Sequence, residues 1–248
     1  MAVKERIDKL MVQRQLAGSR ERARALILAG RVLVDDQTID KVGTQVDAEA
    51  SIRLRGEDIP YVSRGGLKLA RALELFDIDV AGRVAIDVGA STGGFTDCLL
   101  QNGATRVFAV DVGYGQLAWK LRDDHRVVNL ERTNIRNLTA QRLDVLPEIA
   151  VIDASFISLE KVLPATLALL PHDSDVVALI KPQFEVGRGQ VGKGGVVRDP
   201  EQHAQVVEKI KQLASQLGCQ VMNLCESPLL GPKGNREFLI HLRKEATT

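Results

Sequence analysis

The 248-residue sequence predicts an α/β fold: a doubly wound, mainly parallel, seven-stranded sheet behind a small N-terminal α+β domain. Three observations predict it. From Arg83 onward, apolar runs of strand length alternate with segments of helical spacing. The stretch Asp87-Val88-Gly89-Ala90-Ser91-Thr92-Gly93-Gly94-Phe95 is a glycine-rich turn between one such run and a helical pattern. Ahead of both lies a basic region of short helices and strands. Gly56-Glu57-Asp58-Ile59-Pro60 separates the two parts as a polar linker over about 56–62, giving domains of residues 1–60 and 61–248.

Composition sets bounds. An apolar fraction of 45% suffices for an ordinary core. No apolar run is long enough to span a membrane, and Met1-Ala2-Val3-Lys4-Glu5-Arg6 lacks an apolar signal region. A cytoplasmic location without a membrane partner is expected. Cys98, Cys219 and Cys225 lack the clustered spacing of a zinc site, so reduced thiols and no metal are expected. Net charge is +1, which leaves RNA binding open because charge can be local.

Residues 4–31 are locally basic: Lys4, Arg6, Lys9, Arg14, Arg20, Arg22, Arg24 and Arg31 face only Glu5, Asp8 and Glu21. The spacing predicts two short helices. The first turns Ile7, Leu10 and Met11 inward; the second starts at Ser19 as N-cap, turns Ala23, Leu26 and Ile27 inward and ends at Gly30. Strands follow over 31–34 and 51–55, the first ending in an Asp35-Asp36 turn. A charge run alone is more often a solvated face. This order of elements, with Arg6-Ile7-Asp8-Lys9-Leu10, Ser19-Arg20-Glu21-Arg22-Ala23-Arg24 and Ala29-Gly30-Arg31-Val32-Leu33-Val34-Asp35, resembles the S-four-type RNA-binding domain over about residues 4–55. The resemblance implies docking on structured RNA. The candidate contacts are Arg6, Lys9, Arg20, Arg22, Arg24 and Arg31, with Arg64 beyond the linker.

In the second domain, Ser63-Arg64-Gly65-Gly66-Leu67-Lys68 leads into a helix through about Phe76 whose apolar face is Leu69, Leu73 and Phe76. Strands are expected at Val84–Asp87, Val107–Asp111, Val127–Leu130, Ile149–Asp153, Val176–Lys181, Val221–Cys225 and Phe238–Leu242. The pattern is Rossmann-like.

Asp87 suits a cationic or zwitterionic ligand better than a pyrophosphate, and Asp111, at the tip of the second strand, can bind ribose hydroxyls. Together they favour S-adenosylmethionine over a dinucleotide. The candidate cofactor contacts are Asp87, Gly89, Ala90, Ser91, Gly93, Gly94, Phe95, Asp111 and, past the third strand, Asn134 on the adenine edge. Gly187-Arg188-Gly189-Gln190-Val191-Gly192 matches a dinucleotide spacing and nearly a P-loop, but Gly194 stands where the P-loop needs Ser or Thr, and the next helix starts only at Asp199-Pro200. A mobile loop beside a substrate groove, or a plain surface connection, fits that stretch.

Asp153 and Lys181 fall at carboxyl ends of strands, where a parallel sheet binds ligands. Glu237 reaches the same edge if the last strand runs antiparallel; Lys68 cannot be placed. The segments Ser63–Leu69, Asp87–Thr96, Asp111–Leu117, Asp153–Leu159 and Lys181–Gly187 are similar to the TlyA family, also labelled hemolysin A, which joins an S-four-type domain to an FtsJ-like methyltransferase domain. The resemblance spans essentially the whole chain. It implies 2′-O-methylation of cytidine ribose in ribosomal RNA, with a catalytic tetrad of Lys68, Asp153, Lys181 and Glu237. Members that also modify small-subunit RNA carry an extra C-terminal segment, so the end at Lys244-Glu245-Ala246-Thr247-Thr248 points to large-subunit RNA. Lys181 touches the 2′-hydroxyl in this scheme, either as a neutral base or as a charged group that orients it and stabilises oxyanion charge. The alternatives are an inactive RNA-binding assembly factor, which would not need Lys181 or the glycine turn, and a pore-forming hemolysin, which would need membrane segments.

Overall fold

The computed structural model describes residues 4–55, 59–187 and 189–246. Part of the linker, residues 56–58, and Arg188 of the glycine-rich stretch lie outside the described residues. Two compact units are present, Met1–Pro60 and Tyr61–Thr248.

In the first unit, β1 (Lys4–Arg6) leads into α1 (Ile7–Gln13), followed by α2 (Arg20–Leu28), β2 (Val32–Val34), β3 (Gln37–Ile39), β4 (Gln45–Asp47) and β5 (Ile52–Leu54). Ser19 caps α2 by accepting from the Arg22 N–H at 3.1 Å. Gly30, at φ 65°, ends that helix. β2 lies between β3 and β5, antiparallel to both, and β1 pairs with β4. Asp35 and Asp36 both have positive φ, as a two-residue hairpin turn from β2 to β3 requires. Ile7, Leu10, Met11, Ala23, Leu26, Ile27 and Val32 form the buried cluster of this unit.

The second unit begins with α3 (Gly65–Leu75). It continues through β6 (Val84–Val88), α4 (Gly94–Gln101), β7 (Arg106–Val110), α5 (Trp119–Arg122), β8 (Val127–Leu130) and β9 (Ile149–Ile152). Next come α6 (Leu159–Leu167), β10 (Asp175–Ile180), α7 (Pro182–Glu185), α8 (Pro200–Gln216), β11 (Cys219–Glu226) and β12 (Phe238–Lys244). The seven-stranded sheet has the order β11-β12-β10-β9-β6-β7-β8. β6 to β10 pair in parallel; β12 is antiparallel to both β10 and β11. β9 and β10 are buried along their whole length, so β9, and β10 beyond Asp175, read as continuous apolar runs, not alternating ones. One cluster packs Leu69, Leu73 and Phe76 of the α3 region against Cys98 and Leu99 of α4 and one sheet face. On the other, Val162, Leu163, Val206 and Ile210 of α6 and α8 meet Ile86, Ala150, Ile152 and Ile180. No described helix is long and apolar enough to cross a membrane.

The glycine-rich stretch opens no helix. Gly192 bridges to Val196, and Asp199 caps α8 by accepting from the Glu201 N–H at 3.0 Å. Asn235 ties this stretch down, accepting from the Val197 N–H at 3.1 Å and donating to the Gly195 carbonyl at 3.0 Å.

Candidate active site

From β6 the chain runs outward through β7 to β8, then returns to β9 and on to β10. The crevice beyond the carboxyl ends of β6 and β9 is therefore the topological switch point, where open α/β sheets bind ligands. A cleft of about 400 Å³ opens there. Gly89, Ala90, Ser91, Thr92, Gly94 and Phe95 line one part of it, and Leu229, Leu230, Gly231, Pro232 and Glu237 another. Arg64, Lys68, Asp153, Ser155 and Lys181 also line it. Gly89 has φ 89°, and a Cβ there would stand 2.8 Å from the Asp153 carbonyl oxygen. Only glycine lets the two strand ends come this close.

Lys181 follows the last residue of β10, and its side chain is buried. Its Nζ lies 2.5 Å from Asp153 Oδ1 and donates to Ser155 Oγ at 2.8 Å. The Asp153 N–H donates to the Val88 carbonyl at 3.0 Å, which holds Asp153 directly beyond β9. Ile180 pairs with Phe238 across the antiparallel β10–β12 ladder, so Glu237 sits beside Lys181. The Glu237 carboxylate is fully buried: Oε2 lies 2.5 Å from Lys68 Nζ, while Oε1 has no hydrogen-bond partner among the described residues. Lys68 arrives from α3, which packs on α4, the helix that the glycine turn opens. Four segments thus deliver two lysines and two carboxylates to one cleft, as two ion pairs.

The other expected cofactor residues are distributed differently. Asp87 is not at the cleft. It is the fourth residue of β6 and fully buried, with Oδ2 accepting from the Thr96 hydroxyl at 2.6 Å and Oδ1 unpartnered. Burial pushes its carboxyl up to about 7, against the Thr96 hydrogen bond. Val88 and not Asp87 ends the strand, so the Asp87 carboxylate lies beneath the start of α4. Gly93, at φ 94°, turns the chain into α4. Asp111 lies between the glycine turn and the next loop, accepting from Ser91 N–H at 2.8 Å and Gly113 N–H at 2.6 Å. Asn134 caps the short helical turn over 135–137 through the Arg136 N–H at 3.1 Å. Gly93, Asp111 and Asn134 lie outside the cleft lining.

Among the basic candidates, Arg6 and Arg20 converge on the buried Asp8, at 3.0 Å and 2.8 Å, with their own side chains about half exposed. Lys9 pairs with Glu5 at 2.5 Å. Arg22 donates to the Ile59 carbonyl and Arg31 to the Arg55 carbonyl, each at 3.1 Å; Arg24 and Arg64 are exposed. Sequence reasoning missed Ser155 as a Lys181 partner and the Leu229–Pro232 wall. The first stood in plain view two residues after Asp153. The second carries only a weak signal, a Gly-Pro pair a few residues before Glu237. It also missed Phe156, which is 91% exposed at φ 63° and rests on Phe184 with ring centroids 5.2 Å apart.

Comparison with known proteins identifies both parts of the chain. Residues 61–244 match the FtsJ-like methyltransferase family, and residues 5–52 match the S4 domain. The chain is 50% identical over 246 residues to the 16S/23S rRNA (cytidine-2′-O)-methyltransferase TlyA of Mycobacterium tuberculosis, covering 99% of this chain and 92% of the relative. It is 34% identical over 187 residues to the 23S rRNA (cytidine-2′-O)-methyltransferase TlyA of Campylobacter jejuni, covering 74% of this chain and 71% of the relative. A solved structure from Streptococcus thermophilus, provisionally named a hemolysin, is similar with a TM-score of 0.78 and 46% identity, covering 100% of this chain and 90% of that one. The chain belongs to the FtsJ-like methyltransferase family, in the TlyA group that joins such a domain to an N-terminal S4 domain.

Proposed function

We propose that this enzyme methylates the ribose 2′-hydroxyl of a cytidine in ribosomal RNA, with S-adenosylmethionine as donor and large-subunit RNA as substrate. The observation that carries the proposal is Lys181. It is a buried lysine at the switch-point cleft, held by Asp153 and Ser155 and flanked by the Lys68–Glu237 pair. Both relatives described above name 23S RNA, the first of them together with 16S RNA, which supports the large subunit as a substrate. The residues present fit the donor. The turn around Gly89 leaves an open cleft against Asp153, and Asp111 supplies a carboxylate beside that turn. Gly89, Ala90, Ser91, Gly94 and Phe95 line the methionine side, and Asp111 and Asn134 serve the ribose and adenine side. When bound, S-adenosylmethionine supplies a methyl group activated by a sulfonium.

The chain's own task is alignment and the handling of one proton. The 2′-oxygen would take the methyl of bound S-adenosylmethionine, with the C–S electron pair kept on sulfur, while the hydroxyl proton would pass to the Glu237 carboxylate or through the open cleft to solvent. Lys181 points its ammonium into the cleft, where one N–H can pass from Ser155 Oγ to the incoming hydroxyl oxygen. Held by Asp153, it fixes that oxygen and stabilises charge developing there. Glu237, anchored by Lys68, keeps a free carboxylate oxygen beside it. The S4 domain docks the RNA through Arg6, Lys9, Arg20, Arg22, Arg24 and Arg31, with Arg64 at the cleft; these phosphate contacts position the substrate and do not read its sequence. The reaction belongs in the cytoplasm, where ribosomal RNA is available.

The test is a map of 2′-O-methylcytidines in both ribosomal RNAs from cells lacking this protein. Loss of a large-subunit methyl, restored by the wild-type gene, is expected. Loss confined to small-subunit RNA would overturn the subunit assignment, and an unchanged map would overturn the function.

A further inference from the structure

The loop from Asp153 to Ser158 carries two of the groups that meet Lys181, yet it has no regular structure and includes Phe156 at φ 63°. Positive φ is unfavourable for a phenylalanine and persists only where surroundings impose it. Something must therefore hold the loop from outside.

Glu185 does so. It lies four residues past Lys181, at the end of α7, and is 7% exposed. Its Oε2 accepts from the Ser158 hydroxyl at 2.6 Å, and its Oε1 accepts from the Leu159 N–H at 2.8 Å. Ser158 is also the N-cap of α6, accepting from the Glu160 N–H at 3.1 Å. The carboxylate thus sits on the amino end of α6, where unpaired N–H groups favour an anion. Burial pushes its carboxyl upward, while the Ser158 and Leu159 bonds oppose that shift. Lys209 reinforces the junction, donating to the Glu185 carbonyl at 3.3 Å and pairing with Glu160 at 3.0 Å.

The short α7 segment and the 153–158 loop are joined in three places: at Lys181 with Asp153 and Ser155, at Phe184 with Phe156, and at Glu185 with Ser158 and Leu159. The first junction is the cleft chemistry itself, and the second is largely exposed. The third is buried and made of charge-assisted bonds, which are the stronger kind.

We infer that Glu185 is a positioning residue for methyl transfer: by clamping Ser158 and Leu159 it sets the loop that brings Asp153 and Ser155 onto Lys181. The inference rests on the catalytic role proposed for Lys181. Removing the clamp should loosen that geometry and leave the Gly89–Phe95 turn, which Glu185 does not touch, intact.

The test measures kcat on ribosomal RNA, normalised to cofactor-binding sites, with cofactor affinity measured separately. Glu185→Ala should lower kcat roughly ten- to a hundredfold, the scale of a misplaced catalytic group, with cofactor affinity nearly unchanged. Glu185→Gln keeps an oxygen for the Leu159 N–H and an amide to face Ser158 Oγ, so it should recover most of the loss. Wild-type kcat in Glu185→Ala would overturn the inference, as would a Gln variant no better than Ala. If Glu185→Ala does not fold, Ser158→Ala removes one bridge: a severalfold drop in kcat supports the clamp and an unchanged kcat overturns it. Lys181→Ala run alongside separates the two claims. Activity in that variant removes the catalytic proposal, whereas an inactive Lys181→Ala beside a fully active Glu185→Ala removes only the clamp.

Discussion

Lys68 and Glu237 are 169 residues apart in the chain and form an ion pair of 2.5 Å with the carboxylate fully buried. Beside it stands a second pair, Lys181 with Asp153, also at 2.5 Å. Each lysine therefore has its own acid. Buried charges left unpaired would be costly, and pairing offsets that cost before substrate arrives. The reversal of β12 makes this possible: only an antiparallel last strand puts its first residues at the carboxyl ends of β9 and β10.

The seat of Glu237 is narrow. A Cβ on Gly231 would stand 2.0 Å from Glu237 Oε1. Gly231→Ala should displace the carboxylate from Lys68, lower kcat by roughly tenfold or more, and cost about 1–3 kcal/mol of stability through overpacking. Turnover and thermal melting measured together check this. Unchanged turnover would mean that the position of Glu237 does not matter to catalysis.

Asp8 gathers Arg6 and Arg20 onto one point of the basic surface. The Arg6 hydrogen bond leads in lowering its carboxyl to about 2. Because the folded value lies below the ordinary one, this stabilisation is complete above about pH 4 and is lost as pH falls through about 2. Asp8→Asn should abolish that acid-dependent loss in the S4 unit. Charge alone predicts tighter RNA binding by the variant, which gains one positive charge. Positioning predicts weaker binding, because two arginines lose their fixed directions. Titration with ribosomal RNA at fixed salt is expected to show weaker binding.

Much of this architecture is legible in the residues. β9, and β10 after its first residue Asp175, are bare apolar runs, so Asp153 and Lys181 stand out as the first charged groups beyond them. The short strands β1, β3 and β4 are invisible because Lys4–Arg6, Gln37–Ile39 and Gln45–Asp47 are mostly polar and too short for alternation to register. Glu237 depends on strand direction and Lys68 on how α3 packs, and neither is encoded by local spacing. Which lysine pairs with which acid is a tertiary fact. Asp87 is legible as a motif residue, but its burial is not, because the strand runs one residue past it.

That burial has a pH consequence. Asp87 remains protonated up to about 7 when folded, against an ordinary value of 3.8. The folded protein therefore binds a proton that the unfolded chain has released, and stability falls as pH rises from about 4 through about 7. Asp87→Asn removes the titrating group. The cofactor-free variant should melt higher than wild type at pH 8, by an amount on the order of a few kcal/mol, with the gap closing toward pH 4. A variant no more stable than wild type at pH 8 would show that the ionised carboxylate is satisfied in place.

Lys181 is the centre of the account, and methyl transfer under single-turnover conditions tests it most directly. The substrate is large-subunit RNA from cells lacking this protein, offered to wild type, Lys181→Arg and Lys181→Ala. Arginine keeps the charge but replaces a compact ammonium with a planar fork that does not deprotonate. Both variants should lose at least about a hundredfold in rate while binding cofactor nearly as wild type. Substantial activity in the arginine variant would exclude Lys181 as a base and leave it orientation and charge stabilisation. Full activity in Lys181→Ala would contradict the account.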